Sequence, residues 1–319
     1  MDAPLISGRA HPRPRVPWLA ALPLTALACA YFPSHEDVYI PIPLSIGEAR
    51  TENGDTSYAL AGPGYELIAP RREILAETQH DIEAAARQFQ RYFGTTAPLA
   101  IVRYLDSLPP VRPGQDTSIA SLTERNEVQI PARFAGFQRS GQRVSPVRPG
   151  PAAARVWVVE HARRTRAAQA TAAQDGPLAT RPADDTIRIP AWIASAMVDL
   201  IAVSPGQSAL ARQLWNRRSE MIPLSELFEL DRLAPEVAPG RRMGRGAADR
   251  AAMRRVQALS FAQFVADREG AEFLGHAAER LFLGETVREV FADAPTLPGD
   301  PDELDRLWRD WLVAATRLR

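Results

Sequence analysis

The residues whose types and spacing could support chemistry lie in a segment that the hydrophobic pattern predicts as a helix, 153–172. Glu160 stands between Val159 and His161 there, and Arg163 follows Glu160 by three residues. A helix that binds zinc and activates water carries His residues at positions i and i+4, with a Glu beside the first as general base. In that register Val159 and Arg163 occupy the His positions, and Glu160 occupies the base position. Glu160 is therefore suited to act as a general base, but neither Val159 nor Arg163 can bind zinc.

The other His residues do not restore a metal site in the sequence. His161 is adjacent to Glu160, but adjacent helix positions point about 100° apart, so the two side chains are poorly placed to bind one ion. His80 and His276 each precede a Glu by three residues. That spacing can coordinate a metal in helical bundles, but it more often forms a pair on the helix surface. The sequence predicts no metal ligand set, and zinc is expected to be absent.

The first 30 residues predict export. Three Arg residues precede residue 16, an apolar run spans residues 16–30, and Ala28-Cys29-Ala30 has the form of a cleavage site. The run is shorter than the about 20 apolar residues that a membrane helix needs, and the pattern is typical of a secretory signal peptide. It predicts a protein of the periplasm or cell envelope. The alternative is a lipoprotein signal, with Cys29 as a membrane tether; Cys29 is the only Cys, so no disulfide is expected.

The composition excludes one class of partner. Hydrophobic residues make up 45% of the chain and charged residues 24%, as in a globular protein with a sizeable core. The 38 basic residues, all of them Arg, balance 38 acidic residues. A protein that tracks the nucleic-acid backbone needs a positive excess. No nucleic-acid partner is therefore expected, and the sequence leaves the oligomeric state open.

The order of the predicted elements indicates an α+β fold. Residues 31–60 are interpreted as a Pro-rich lead-in. Strands are predicted at 65–69 and 99–105 with a helix at 73–93 between them, which gives a small N-terminal mixed β-sheet with a packed helix. The remainder is predicted to be mostly helical, with helices at 153–172, 191–202, 208–221, 247–267, 271–283, 287–292 and 302–318.

A further short strand is predicted at Glu127, Val128, Gln129 and Ile130. The strand is followed by Pro131. Pro has no backbone N–H to give to a neighbouring strand, so within sheets it is confined to edges and strand ends. The sequence therefore predicts that this strand lies at an edge of the sheet.

Five segments occur in an order that is similar to that of a known family. They are Val159–Arg163, Pro190–Ala196, Ile222–Leu227, Ser260–Val265 and Trp308–Leu312. Together they resemble the peptidase MA-like gluzincins, which carry H-E-x-x-H on one helix and P-x-W-L-x-E-G on the next. The resemblance covers residues 60–315 and implies a zincin-like fold.

The resemblance also implies the organisation of the chain and a third ligand position. Residues 61–319 would form one degenerate gluzincin-like domain, with a sheet-containing part at 61–150 and a helical part at 151–319. The third zinc ligand of the family, a Glu, falls on Ser195 in this sequence. All three ligand positions are thus replaced around the retained Glu160, and no catalytic residue is expected.

The replaced positions admit two interpretations. In the first, the guanidinium of Arg163 takes the electrostatic place of the metal cation, pairs with Glu160 and lies near Ser195. In the second, Glu160 forms an ordinary solvated pair with Arg163 or Arg164 at i,i+3 or i,i+4 spacing, worth about 0.2–0.5 kcal/mol. The second is favoured slightly, because Arg-rich helices are common in this chain.

These features favour an exported, non-catalytic, metallopeptidase-like protein, or pseudo-peptidase, that binds a peptide or protein partner. The partner would pair with the strand at residues 127–130, because an exposed edge can accept an added strand. One alternative is a structural cell-envelope protein in which the cleft is filled. Another is an active metallopeptidase whose ligands are not recognised in the sequence.

Overall fold

The computed structural model describes residues 48–52, 55–105, 126–132, 148–174, 189–202, 207–230 and 245–317. The predicted signal peptide at 1–30, including Cys29, lies outside the described residues. In the part of the chain that is described, no helix is long and apolar enough to cross a membrane.

Five strands form one sheet, and their order in the sheet is their order in the chain. They are β1 (Glu48–Glu52), β2 (Asp55–Gly62), β3 (Tyr65–Ala69), β4 (Ala100–Leu105) and β5 (Glu127–Pro131). β1, β2 and β3 pair antiparallel, whereas β3, β4 and β5 pair parallel. The sheet is therefore mixed, and β5 forms one edge of it as described.

The parallel pairing of β3 with β4 requires a crossover, which α1 (Arg72–Phe93) supplies. α1 buries a stripe of residues at helical spacing, among them Ile74, Ile82 and Phe89. It ends at Gly94, whose N–H donates to the carbonyl four residues earlier and whose φ of 65° glycine adopts without strain. The glycine stop lets the chain turn back toward the start of β4.

The rest of the described chain is mostly helical. A single 3-10 turn at Arg218–Glu220 follows the fourth helix. The remaining α-helices are α2 (Gly150–Gln174), α3 (Ala191–Ala202), α4 (Gln207–Asn216), α5 (Leu224–Phe228), α6 (Arg245–Glu269), α7 (Ala271–Phe282), α8 (Val287–Ala292) and α9 (Pro301–Arg317).

α1 and α2 cover one face of the sheet and continue its core into the helical part. Strand side chains alternate between two faces, and the face toward the helices buries Val102 and Tyr104 of β4 with Val128 and Ile130 of β5. α3 packs between α2 and α6, and α7 packs on α1 and α2. The apolar residues of the sheet and of these helices form one cluster in the described structure.

The predicted α+β class, with a small mixed sheet followed by a mostly helical part, is confirmed. The predicted edge position of the strand at 127–130 also agrees with the described sheet. β1 and the first part of β2 lie within residues 31–60, the segment interpreted from the sequence as a Pro-rich lead-in. A short helix, α5, also forms at residues 224–228, for which no element is predicted from the sequence.

Candidate functional site

Glu160 lies on α2 beside the two arginines that follow it. Arg164 Nε donates to Glu160 Oε1 at 3.0 Å, and Arg163 Nη1 lies 3.8 Å from Glu160 Oε2. The side chains of Arg163 and Arg164 are 52% and 60% exposed, and that of Glu160 is 19% exposed. Water screens the exposed guanidinium groups, and i,i+4 pairs of this kind stabilise a helix by about 0.3–0.5 kcal/mol. The geometry matches the interpretation of Glu160 as the partner of solvated arginines on its own helix.

Ser195 lies on α3 at a half-buried position. α3 packs against α2, so the fold brings together the two helices that carry the replaced ligand positions. Within the described contacts, however, no hydrogen bond joins Ser195 to Glu160 or to Arg163. The interpretation in which these three residues share an internal site therefore has no contact to support it.

His161 points in a different direction from Glu160 and connects α2 to α7. Its Nε2 lies 2.7 Å from Glu279 Oε1. Its ring centroid lies 4.3 Å from that of Phe93 and 5.6 Å from that of Phe89, so the imidazole is packed against α1 as well. The His161 side chain is only 12% exposed. His161 thus joins α2 to α1 and α7, whereas the ion pairs of Glu160 stay within α2.

The sequence pattern of α2 indicates that His161 faces the core, but no pattern in the sequence indicates that Glu279 is its partner. Trp157 and Val158 are fully buried and precede His161 by four and three residues, which places all three on one side of α2. The sequence places Glu279 in a surface pair with His276. In the structure its partner is 118 positions away, and only the packing of α7 on α2 brings the two side chains together.

The donor set around Glu160 does not fit a zinc ion. Val159 is aliphatic, and the guanidinium of Arg163 is a cation without an acceptor lone pair. His161 is of a type that binds zinc, but its Nε2 is engaged by Glu279. Among the described residues, no group of three or more His, Cys, Asp or Glu side chains could hold a metal ion.

β5 directs one backbone edge to β4 and the other edge away from the described sheet. Ile101 N–H donates to Asn126 O at 3.0 Å, and Ala132 N–H donates to Leu105 O at 2.7 Å. Alternate residues of a parallel strand bond to the same neighbour. Between these two flanking bonds, the N–H and C=O of Gln129 therefore point toward the outer edge.

The side chains of β5 hold the strand in an extended position. Val128 and Ile130 are buried in the core under α2. On the other face, Glu127 Oε1 accepts from Arg103 Nε at 2.9 Å and from Gln129 Nε2 at 3.3 Å. The four residues predicted to bind a partner are thus fixed by apolar burial on one face and by polar contacts on the other.

A buried carboxylate on α3, Asp199, pairs with Arg255 on α6. Arg255 Nε donates to Asp199 Oδ2 at 2.6 Å, and Nη2 donates to Oδ1. The hydrogen bond to Asp199 raises the pKa of Arg255, whereas burial and then the charge of Arg255 lower the pKa of Arg155. The pair thus joins α3 to α6 through two hydrogen bonds, and the charge of each side chain is compensated by the other.

A cavity of about 340 Å³, hereafter the α3 cavity, opens where α3 begins and α7 ends. Trp192 and Phe228 contribute to its apolar wall, and Glu229 and Arg288 lie among its polar lining residues. Nothing in the sequence indicated a cavity here. The packing of α3, α5, α7 and the starts of α8 and α9 creates it.

Comparison of the chain with protein-family models, with curated protein sequences and with solved structures gives no match. The resemblance to the gluzincins therefore rests on the five sequence segments alone.

Proposed function

We propose that this is an exported, non-catalytic, gluzincin-like protein that binds an extended peptide or protein segment along β5. The observation that carries the proposal is the position of β5 at one edge of the described sheet. The export part of the proposal rests on the signal-like pattern of residues 1–30, and the proposed gluzincin ancestry rests on the order of the five segments. The proposed lack of catalysis rests on the side chains at the three implied zinc-ligand positions, none of which is a zinc ligand of the family.

Addition of a strand is the binding mode that suits this edge. The N–H and C=O of Gln129 point outward, and main-chain hydrogen bonds of this kind supply affinity with little sequence preference. Val128 and Ile130 anchor the strand in the core, so a ligand meets a preorganised edge and its binding orders few residues of the protein. Pro131 cannot donate a hydrogen bond, which limits the paired stretch to the residues before it.

The polar groups near Glu160 support a function without metal. We expect the purified mature protein, expressed with added zinc and then dialysed, to contain much less than one zinc ion per chain. Val159 and Arg163 offer no ligand, and His161 is engaged by Glu279. Inductively coupled plasma mass spectrometry checks this expectation. One zinc ion per chain, together with peptide hydrolysis that a chelator stops, would instead support the metallopeptidase alternative.

A substitution at Gln129 tests the binding mode. Gln129→Pro removes the outward N–H and leaves the bonds to β4 in place, because Pro is tolerated where a strand N–H faces away from the sheet. The wild-type protein is expected to select peptides from a displayed library of random extended peptides. Gln129→Pro is expected to weaken the binding of the selected peptides by at least about fivefold, because it removes one main-chain hydrogen bond, worth about 1 kcal/mol, and leaves the peptide carbonyl that accepted this bond without a donor.

Gln129→Ala is the matched control, because it removes the side-chain amide and keeps the backbone N–H. It is expected to bind the selected peptides within about twofold of the wild type. Both variants should show the wild-type far-ultraviolet circular dichroism spectrum. Equal binding by all three proteins would reject the β5 edge as the site, and a library that yields no ligand would favour the structural envelope role.

A further inference from the structure

Three charged side chains lie together where α3 packs between α2 and α6. Asp199 of α3 accepts two hydrogen bonds from Arg255 of α6, and Arg155 of α2 lies within reach of both charges. The Asp199 side chain is 11% exposed, whereas that of Arg255 is 44% exposed. This group, hereafter the Arg155 cluster, therefore lies at the border between the helical core and solvent.

Arg155 is the member of the cluster without a partner. It is half-buried, and it forms no ion pair or side-chain hydrogen bond with the described residues. Its guanidinium carries five N–H donors and keeps its charge. Burial, followed by the charge of Arg255, lowers the pKa of Arg155, because both disfavour a cation there. An anion that accepts hydrogen bonds from Arg155 would replace the water that burial removes and would relieve this cost.

The charges of the cluster favour an anion with a single charge. Two guanidinium groups and one carboxylate give a net charge of +1. A carboxylate neutralises that charge, and its two oxygens match the planar fork of a guanidinium through parallel hydrogen bonds. A phosphate dianion would leave the half-buried cluster with a net negative charge close to Asp199. The carboxylate is therefore the better match.

The cluster lies one helical turn from two of the replaced ligand positions. Val159 follows Arg155 by four residues on α2, and Ser195 precedes Asp199 by four residues on α3. Residues four apart lie on the same side of a helix, and both Val159 and Ser195 are half-buried. Arg155 thus shares its side of α2 with an apolar side chain that is accessible to a ligand.

We propose that the Arg155 cluster binds the carboxylate of a small organic acid, through paired hydrogen bonds from the Arg155 guanidinium, with the apolar part of the acid beside Val159. The hydrogen bond between Asp199 and Arg255 stays intact in this complex. The inference uses no contact of β5, so it does not depend on the proposed peptide binding.

The experiment uses benzoate as the probe and measures binding to the full chain by ligand-observed nuclear magnetic resonance titration at about pH 8. A ligand of this size is expected to bind with a Kd on the order of 1 mM. Benzamide has the same shape and no charge, and we expect it to bind at least about fivefold more weakly, because it forms no charge-assisted pair. Phenyl phosphate is a dianion at this pH, and we expect it to bind no more tightly than benzoate.

Two variants place the carboxylate. Arg155→Gln is expected to weaken benzoate at least about fivefold and to leave the affinity for benzamide unchanged. Because Arg155 has no hydrogen bond to lose within the described structure, the urea midpoint of this variant should stay the same or rise. Arg164→Gln is the matched control: Arg164 is 60% exposed on the same helix, about 13 Å further along its axis. It should bind benzoate as the wild type does.

Several results would overturn the proposal. Equal affinity for benzoate and benzamide would remove the role of the charge. Tighter binding of phenyl phosphate would show that the cluster selects a phosphate. An equal loss in both Gln variants would reveal a general surface-charge effect, and a loss in Arg155→Gln together with a lower urea midpoint would assign Arg155 to the fold. No binding of any probe would show that the cluster holds no ligand of this class.

Discussion

Gly275→Ala is expected to lower the free energy of unfolding by about 3 kcal/mol, because an added methyl group would overpack the contact between α7 and α1. A Cβ at position 275 of α7 would lie 1.8 Å from Tyr92 O and 2.6 Å from the carbonyl carbon of the same residue. Both are backbone atoms of α1, so no side chain can rotate away. α1 and α7 would have to separate by well over 1 Å for the distance from the Cβ to Tyr92 O to increase from 1.8 Å to an ordinary contact distance of at least 3.4 Å.

The contact between Gly275 and Tyr92 joins two helices that also support the candidate site. Phe93 of α1 and Glu279 of α7 both contact His161. Separation of α1 from α7 should therefore loosen the His161–Glu279 hydrogen bond at the same time. Urea denaturation followed by circular dichroism measures the loss of stability, and a fall of about 5 °C in the thermal midpoint is the corresponding shift for a chain of this size.

Gly246→Ala is the matched control for the same change in α6. The nearest atom to a Cβ at Gly246 is Arg250 Nη1 at 3.7 Å, an ordinary contact with a flexible side chain. Alanine favours a helix over glycine by up to about 1 kcal/mol, so this variant should be unchanged or slightly more stable. A small effect at both glycines would contradict the close approach of α1 and α7.

Trp157→Ala is expected to lower the free energy of unfolding by about 4 kcal/mol, a value typical of removing a fully buried tryptophan. Trp157 has no exposed surface, and its ring packs edge-on against Phe89 at 5.9 Å. Its Nε1 donates to Gly64 O at 2.9 Å, which ties α2 to the turn between β2 and β3. The variant would lose both the packing and this link between the helical part and the sheet.

Trp157→Phe separates the two contributions. It retains most of the ring and removes the indole N–H, while Gly64 O keeps its second hydrogen bond from Ala100 N–H at 3.0 Å. The expected loss is about 1–2 kcal/mol, because the carbonyl stays satisfied and the residual cavity is small. Trp215→Ala is a control for the residue type, since Trp215 is 38% exposed, and it should cost less than about 1 kcal/mol. Denaturation curves that rank these variants differently would contradict the assigned burial.

The predictable elements of this fold are those that a local pattern determines. The apolar positions of the 73–93 segment recur at helical spacing, and Gly94 provides a stop, so α1 is found within one residue of its predicted start. Glu127 to Pro131 combines strand-forming residues with a Pro, and β5 lies at the edge where Pro is tolerated. Each of these outcomes follows from steric and hydrogen-bonding preferences of residues that are close in sequence.

β1 and β2 were missed because their residues carry a weak local signal. β1 reads Glu-Ala-Arg-Thr-Glu, and β2 begins with Asp-Thr-Ser, compositions that suit loops as well as strands. They become strands through pairing with β3, from Tyr58 opposite Ala69 to Gly62 opposite Tyr65. Strand formation here depends on a neighbour that already has a hydrophobic pattern.

The sequence by itself determined the α+β class, most helix positions and the absence of zinc-binding side chains at positions 159 and 163 beside Glu160, because residue identity and helical spacing are local properties. Only the tertiary structure decided that Glu160 pairs with the exposed arginines of its own helix, while His161 turns inward to Glu279. The α3 cavity likewise exists only through the packing of five helices. Contacts between residues more than one hundred positions apart depend on how whole helices pack, and no short pattern in the chain records that arrangement.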